Sequence, residues 1–280
     1  MASSTPTTYL LPRDRFEATR VSSQHLLWQL HTGYLLHPDI PLKEGMIIAD
    51  IGTGTGIWAL ELSPHLPLSA QVVGYDIAST HLPAPEYWPA NVRFDHLDSL
   101  SETIPEDLIG HFDVVHLRMW AFVIRDNDPS ALIRHAERLL KPGGYLQWDD
   151  ARFGSIVTRE GDETALRFRE LMRRKWTVTK HNFQWLDELD QHVNRRAGLE
   201  VVDCQYKPWA PSLIPLVTNT FMLALESSSA LLERLKQAAP SVPSQEEWLE
   251  ALAALYEEIQ KPGGAQFHWL PVSVLARKSG

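Results

Sequence analysis

The sequence predicts an α/β fold in which helices cover both faces of a mostly parallel sheet. The first observation is a short apolar run, at residues 47–56, that ends in an acid and three alternating glycines. The second is the alternation of strand-like and helix-like segments that continues to Trp148. Two later strand-like segments, at residues 199–205 and 267–276, bring the sheet to seven strands. Such alternation is typical of a parallel sheet covered by helices on both faces.

The glycine-rich segment reads IIADIGTGTG and predicts a strand, a tight turn and a helix. Glycines let a ligand approach the backbone of such a turn, and the following helix points N–H groups at that ligand. Dinucleotide dehydrogenases prefer the spacing G-x-G-x-x-G, whereas this turn has G-x-G-x-G with an acid two residues before its first glycine. We therefore predict a nucleotide cofactor site that contains Asp50, Gly52, Thr53, Gly54 and Gly56.

A second acid supports this site. The second strand, at residues 72–75, leads directly to Asp76, which lies 20 residues after Gly56. In α/β nucleotide sites an acid at this place binds the ribose hydroxyls, and a carboxylate offers two acceptor oxygens to two adjacent hydroxyls. We therefore assign Asp76, with Ile77 beside it, to the cofactor.

The composition limits the function classes. The 280 residues carry a net charge of −9 and one cysteine, Cys204. The negative charge argues against nucleic acid as a main partner, and a single cysteine excludes an internal disulfide. The N-terminus has no basic segment followed by an apolar core, and no apolar run approaches membrane-spanning length. We expect a cytoplasmic protein without a membrane or nucleic-acid partner that acts on a small molecule and is compatible with a homodimer.

The chain is predicted to form one domain with two helical additions. Its parts are an N-terminal helical lid at residues 1–44, a cofactor-binding core at 45–210 and 265–280, and a helical cap at 211–264. The cap is inferred because about sixty residues separate the last two strands, far more than an ordinary connection. We expect cap helices at 215–237 and 245–259, and a largely helical stretch at 160–197.

The segment at residues 13–36 is compatible with a helix that ends near Gly33. Leu26, Leu27 and Leu30 are predicted to share one apolar stripe. Two interpretations of its polar residues remain open. They form either a solvated face or a lid across the cofactor pocket, in which Arg20 or Gln24 reaches the ligand.

The turn with its acid and three glycines, followed by Asp76, resembles the cofactor motifs of class I S-adenosylmethionine (SAM) methyltransferases. The string LLKPGGYLQWDD at residues 139–150 resembles the stretch through the fifth strand of those enzymes. Residues 9–38 are similar to fungal secondary-metabolite methyltransferases, including enzymes that methylate thiols or amide nitrogens of epidithiodiketopiperazines. The resemblance implies a Rossmann-like seven-stranded sheet with an antiparallel last strand, SAM as cofactor and S-adenosylhomocysteine as product. It implies methyl transfer to sulfur, nitrogen or oxygen of a small molecule, and it favours a thiol or amide nitrogen of a diketopiperazine-type metabolite.

The same resemblance places the adenine after the third strand, at residues 92–96. Class I methyltransferases usually have an acid there that accepts from the adenine amino group. Asp98 matches this position, with Leu97 available to pack on the ring and Ser99 beside it. Asp95 competes for the role because the register of the strand is open.

The methyl-transfer centre is expected where the fourth and fifth strands end. His116, Asp149 and Asp150 are the candidates near the methyl group, and His116 and Leu117 are also expected to contact the cofactor. An alcohol or amide acceptor needs a general base, whereas a thiol needs little help. We expect at least one of the three candidates to be catalytic, and the sequence does not decide which.

Four residues are predicted to line the substrate pocket: Tyr34, Arg118, Trp120 and Trp148. Arg118 either binds an acidic substrate or pairs with a nearby carboxylate. No convincing set of metal ligands is present, so we expect no metal.

Three alternatives to methyl transfer are compatible with the same motifs. The first is a methyltransferase-like fold that binds SAM and does non-methylating chemistry. The second is a regulator that senses SAM or binds a partner. The third, a nicotinamide oxidoreductase, is disfavoured by the glycine spacing.

Overall fold

The structure is a computed structural model that describes residues 11–280, so the first ten residues of the predicted lid lie outside it. Within this part seven strands form one sheet: β1 (Ile47–Ile51), β2 (Gln71–Asp76), β3 (Val92–His96), β4 (Phe112–Arg118), β5 (Leu140–Thr158), β6 (Leu199–Gln205) and β7 (Phe267–Lys278). The strand order is β3-β2-β1-β4-β5-β7-β6. β7 pairs antiparallel with β5 and β6, and the other pairs are parallel. The predicted α/β fold and mostly parallel sheet are confirmed.

Helices cover both faces of the sheet. They are α1 (Arg15–Thr32), α2 (Ile57–Leu62), α3 (Ser130–Leu139), α4 (Glu163–Val178), α5 (Leu189–Asn194), α6 (Ile214–Ser227), α7 (Leu232–Ala238) and α8 (Gln245–Ile259). None of these helices, within residues 11–280, is long and apolar enough to span a bilayer.

The fifth strand is much longer than predicted. The sequence places it at residues 145–148, with a sharp break at the preceding Lys-Pro-Gly-Gly, but β5 runs from Leu140 to Thr158. The extension is stabilised by β7, because Thr158 pairs with Phe267 and Tyr145 pairs with Arg277. Strand pairing across more than a hundred residues is invisible to local sequence patterns.

Two predicted helical stretches are interrupted. The expected helix at 215–237 divides into α6 and α7 around a 3₁₀ turn at Ser228–Leu231, where the Ser228 hydroxyl donates to the carbonyl of Leu225. The expected helical stretch at 160–197 stops at the end of α4, just before Lys180, whose φ is +59°. The prediction of one helix at 215–237 was wrong because serine hydroxyls offer the backbone other hydrogen bonds. The stretch at 160–197 is largely helical as predicted, with a break that includes a left-handed residue.

Helix α1 has its predicted end but a different buried face. Asp14 accepts from the backbone N–H groups at its start, and Gly33 ends it in the left-handed conformation. The predicted leucine stripe is wrong, because Leu26 is 53% exposed and Leu30 is 64% exposed. The helix instead turns polar side chains inward, over the carboxyl ends of the strands, as the lid interpretation requires.

Gly74 on β2 lies so close to Phe94 and Thr53 that a larger side chain there is expected to lower the stability of the protein. A Cβ atom there would lie 2.4 Å from the Phe94 ring and 2.7 Å from the Thr53 hydroxyl. We expect Gly74→Ala to lower the free energy of unfolding by about 2–3 kcal/mol, measured by urea denaturation. Gly154→Ala is the matched control, since its nearest contact would be 3.7 Å away. Equal stability of the two variants would contradict this interpretation.

Candidate active site

A cavity of about 250 Å³ lies at the carboxyl ends of β1, β2 and β4, where ligands of open α/β sheets bind. One end is formed by the glycine turn and the residues that follow β2 and β3. Helix α1 covers the middle, and aromatic rings from β5, α6 and β7 close the far end. The cavity therefore joins a polar, nucleotide-like end to an apolar end.

The glycine turn is held by backbone hydrogen bonds. The N–H groups of Gly52 and Thr53 both donate to the carbonyl oxygen of Tyr75, at 2.8 and 2.9 Å. Gly52 and Gly54 have φ of +72° and +59°, a region that glycine adopts without strain. A Cβ atom on Gly54 would have no neighbour closer than 4.0 Å, so a ligand can approach the backbone there.

Asp76 joins the turn to the end of β2. One of its carboxylate oxygens accepts from the Gly54 N–H and the other from the Ala78 N–H, both at 3.0 Å. These bonds fix the plane of the carboxylate and leave each oxygen with a further lone pair. Asp76 and Ile77 both line the cavity. The placement suits the predicted contact with ribose hydroxyls.

The residues after β3 form the next part of the wall. Leu97, Asp98 and Ser99 line the cavity, whereas Asp95 does not. Asp95 lies within β3, opposite Tyr75. One oxygen of Asp98 accepts from the Leu100 N–H at 3.0 Å. The register therefore places Asp98, rather than Asp95, at the predicted adenine position.

These features fit an adenosine group. A ribose needs an open backbone and a fixed acceptor, which Gly54 and the Asp76 carboxylate offer. An aminopurine needs an apolar surface and an acceptor, which the buried Leu97 side chain and the neighbouring Asp98 carboxylate offer. Arg20 and Gln24 of α1, which are buried, line the same cavity.

His116 belongs to a buried cluster behind the turn. Its Nδ1 lies 2.7 Å from Oδ1 of Asp50, and the Thr53 hydroxyl donates to the other oxygen of Asp50 at 2.6 Å. The Trp58 ring stacks on the imidazole with centroids 3.7 Å apart. Burial raises the pKa of Asp50, but the hydrogen bonds from His116 and Thr53 outweigh it and hold that pKa below its usual range.

This geometry argues against a catalytic role for His116. Its Nδ1 is bonded to Asp50, and its Nε2 is buried with no hydrogen-bond partner in the described part of the chain, 3.7 Å from an oxygen of Asp149. Neither nitrogen is open to a substrate, although the ring forms part of the cavity wall. We therefore assign His116 to holding Asp50 and, through it, the turn.

The paired aspartates, which lie within β5, do not line the cavity either. Asp149 is buried; burial raises its pKa, but the nearby His116 imidazole outweighs burial and holds that pKa below its usual range. Asp150 accepts from the backbone N–H groups of Trp120, Ala121 and Ala151 and from Nε1 of Trp148. Burial raises the pKa of Asp150 to about 7. Asp150 thus organises the chain after β4, and the prediction that either aspartate acts at the methyl group is not supported.

Four further predicted site residues lie outside the cavity wall. Leu117 is fully buried within the sheet, and Trp148 is buried against Trp185, with ring centroids 5.5 Å apart. Tyr34 packs edge-on against His37. Gly56 faces the Phe94 ring, and a Cβ atom at this position would lie 2.5 Å from that ring. A glycine is therefore needed here so that the turn can pack against Phe94. Their predicted contacts with cofactor or substrate are corrected accordingly.

Arg118 and Trp120, in contrast, do line the cavity. The Trp120 ring lies over the glycine turn, 2.9 Å from where a Cβ atom of Gly52 would stand, and its Nε1 donates to the carbonyl of Ile51 at 3.2 Å. The ring therefore lies against the glycine turn in the wall of the cavity.

No local sequence pattern predicts the aromatic end of the cavity. It is lined by Phe122, Phe153, Phe221 and Trp269, which come from four separate segments. Phe153 is central: its ring centroid is 4.6 Å from that of Phe122, 5.3 Å from Phe221 and 5.9 Å from Trp269. We name these four residues the aromatic chamber. A sequence spacing of about 150 residues between its members hides it from any local pattern.

Among the described residues 11–280, no three His, Cys, Asp or Glu side chains are grouped so that they can hold a metal ion.

Comparison with solved structures supports the fold. A phosphoethanolamine N-methyltransferase 2 of Haemonchus contortus, solved with phosphomonomethylethanolamine and S-adenosylhomocysteine, matches with a TM-score of 0.56 and 16% sequence identity. The match covers 100% of this chain and 61% of that one. The shared architecture is a Rossmann-like fold.

A family model described as a methyltransferase domain matches residues 31–203, and the chain belongs to this methyltransferase family. By family it is a methyltransferase, and SAM is the cofactor that the glycine turn and Asp76 predict. Methyltransferase grgD of a Penicillium species is 34% identical over 174 residues, which cover 59% of this chain and 60% of that protein. The aligned part thus spans less than two thirds of that relative. N-methyltransferase tcpN of Claviceps purpurea is 25% identical over 274 residues, covering 92% of this chain and 94% of the relative.

Proposed function

We propose that this enzyme transfers the methyl group of SAM to a nitrogen atom of a small, flat, apolar molecule of fungal secondary metabolism, of the diketopiperazine type. The observation that carries the proposal is the aromatic chamber, which is continuous with the nucleotide end of the cavity. The family resemblance of the sequence favoured a thiol or an amide nitrogen. The name of the Claviceps purpurea relative supports nitrogen.

SAM supplies a methyl group on a sulfonium, which a nucleophile attacks in line. The chain's own task is to hold cofactor and acceptor in that arrangement. We assign Asp76 and Asp98 to the nucleoside and Phe153, with its aromatic neighbours, to the flat acceptor. A nitrogen–carbon bond forms as the carbon–sulfur bond breaks, the bonding pair stays on sulfur, and the N–H proton passes to water, which acts as the base that an amide acceptor needs.

Positioning accounts for the rate in this proposal. His116, Asp149 and Asp150 keep their polar atoms bonded or buried away from the cavity, so we assign none of them as general base. Holding two reactants in the correct geometry can lower a barrier by several kcal/mol, on the order of 7–11 kcal/mol in the best cases.

The test is a matched acceptor panel with labelled SAM. The panel contains a cyclic dipeptide with an aromatic side chain and free N–H groups, its N,N′-dimethyl counterpart, and a thiol-bearing analogue. We expect the first compound to gain the mass of one methyl group, located on nitrogen, and the dimethyl compound to gain none. Methylation of the thiol-bearing analogue alone would contradict the nitrogen assignment. Product that forms equally with S-adenosylhomocysteine would indicate non-methylating chemistry instead.

A substitution at Phe153 tests whether the aromatic chamber binds the acceptor. We expect Phe153→Ala to lower kcat/KM for the aromatic acceptor by about 10–100-fold, because the ring contacts three other rings of the chamber. Affinity for S-adenosylhomocysteine should stay within about 3-fold of wild type. Phe16→Ala is the control, since Phe16 is 68% exposed on α1. Equal kinetics of the two variants would exclude the aromatic chamber as the acceptor site.

A further inference from the structure

The cavity wall contains a half-buried cation without a carboxylate partner. Among residues 11–280, no carboxylate oxygen lies within 4.0 Å of the Arg118 guanidinium, which is enclosed at the end of β4. Burial lowers its pKa, while the more distant charges of Asp149, Asp50 and Glu61 act in the opposite direction. A guanidinium stays protonated in proteins, so this site keeps a positive charge that is costly to bury unless an anion joins it.

Arg20, another arginine of the cavity wall, is already neutralised. Arg20 of α1 donates to both carboxylate oxygens of Glu17, at 2.6 and 2.9 Å, and both side chains are buried. A bidentate pair of this kind holds both charges in one geometry. Arg20 was the sequence-based candidate for the amino-acid end of the ligand, but its charge is committed to Glu17. Arg118 is the better anion ligand.

His25 fixes the Arg118 side chain. Nη2 of Arg118 donates to Nδ1 of His25 at 2.7 Å. Since arginine only donates, Nδ1 must be the unprotonated nitrogen, and the proton sits on Nε2, which bonds to Glu61. Burial, followed by the charge of Arg118, lowers the pKa of His25 to about 4. The imidazole is therefore neutral near pH 7 and can accept from the guanidinium.

Glu61, on α2, holds His25 in place, so that a chain of contacts runs from Glu61 through His25 to Arg118. We call this chain of contacts the relay. The Glu61 carboxylate bonds to Nε2 of His25 and to the side-chain amide of Gln29, both on α1. The contacts join α2, α1 and β4 around the cavity. The guanidinium is thus held in one place before any ligand binds, which reduces the cost of ordering it at binding.

From this arrangement we propose that Arg118 is a carboxylate-binding residue of the cavity, and that His25, held by Glu61, is its positioning residue. The carboxylate comes from the amino-acid end of SAM or from an acidic acceptor, and both sources share the same chemistry. The guanidinium donates in a fork that matches the two oxygens of a carboxylate. This inference rests on the proposed use of SAM.

Calorimetry with two cofactor analogues tests the proposal. S-adenosylhomocysteine has the amino-acid group, and 5′-methylthioadenosine has the same nucleoside and sulfur without it. We expect Arg118→Met to weaken S-adenosylhomocysteine binding by about 100-fold and 5′-methylthioadenosine binding by less than about 3-fold. Retained 5′-methylthioadenosine binding also reports that the variant is folded. Arg167→Met, on the exposed side of α4, is the control for loss of one positive charge.

The positioning role has its own readout. We expect His25→Leu to weaken S-adenosylhomocysteine binding by about 10-fold, and His25→Gln to recover most of it, because an amide can accept from Arg118 and donate to Glu61 at once. A merely structural role would weaken both analogues equally and would not be rescued.

The outcomes separate the two carboxylate sources. Unchanged analogue binding in Arg118→Met, with a raised KM for acidic acceptors but not for their methyl esters, would assign the carboxylate to the acceptor. Unchanged analogue binding and unchanged KM values would overturn the proposal, as would an equal loss for both analogues. If the wild-type protein binds neither analogue, the proposed use of SAM fails, whatever Arg118 does.

Discussion

Replacing Asp76 with alanine is expected to weaken SAM binding about 100-fold, or about 3 kcal/mol. The carboxylate acts in two ways. It holds the glycine turn through the Gly54 N–H, and its remaining lone pairs are placed for the ribose hydroxyls. Titration calorimetry of SAM into wild type and Asp76→Ala measures the difference directly.

A second substitution separates these two roles. Asp76→Asn keeps an oxygen that can accept from Gly54 but replaces the other acceptor with a donor, so we expect about a 10-fold loss. Asp95→Ala is the control, since Asp95 lies on the neighbouring strand opposite Tyr75 and outside the cavity wall. If Asp76→Ala bound SAM as tightly as Asp95→Ala, the assignment of this cavity end to the nucleoside would be wrong.

Replacing Lys175 with methionine is expected to stabilise the protein at pH 7, by about 1–4 kcal/mol. Lys175 is 2% exposed on α4 and has no carboxylate within 4.0 Å in the described part of the chain. Its ammonium donates to the Ser228 carbonyl at 3.3 Å and lies 4.8 Å from the centroid of the Trp248 ring. Burial lowers its pKa to about 7. Methionine would fill the same space and contact the same ring without a charge.

The pH dependence of this effect has a defined sign. The unfolded lysine has a pKa near 10.5 and the folded one near 7, so the unfolded chain binds more protons between these values. The destabilisation is fully present below pH 7 and disappears as the pH rises toward 10.5. Urea unfolding of both proteins at pH 7 and pH 10 should therefore give a large difference at pH 7 and a small one at pH 10.

Arg173→Met is the matched control, because Arg173 lies on the same helix with its side chain 67% exposed. It should change stability by less than about 0.5 kcal/mol at both pH values. A Lys175→Met variant less stable than wild type at both pH values would indicate that the carbonyl and ring contacts outweigh the cost of burying the charge.

The nucleotide end of the site was predictable because its signal is local. A strand, a glycine turn and an acid twenty residues later follow one another along the chain, and each has a backbone or charge requirement that few residue types meet. Gly52, Gly54, Asp76 and Asp98 all line the cavity as the sequence placed them. Their contacts with SAM remain predictions.

The methyl-transfer end was not predictable in the same way. The sequence placed His116 at a strand end, which was correct, but could not show that Trp58 and Asp50 close off its ring. Asp150 looked available and is instead fully bonded to the chain after β4. A residue at the right edge of a sheet can point into the cavity or into the protein, and long-range packing decides between them.

The sequence by itself thus determined the α/β fold, the cofactor class and the nucleotide end of the cavity, since each depends on residues close together in the chain. Tertiary structure alone decided the aromatic chamber and the relay from Glu61 through His25 to Arg118. Their members come from separate elements, and His25 and Arg118 are 93 residues apart. Contacts over such separations are set by how the elements pack, and no local spacing encodes them.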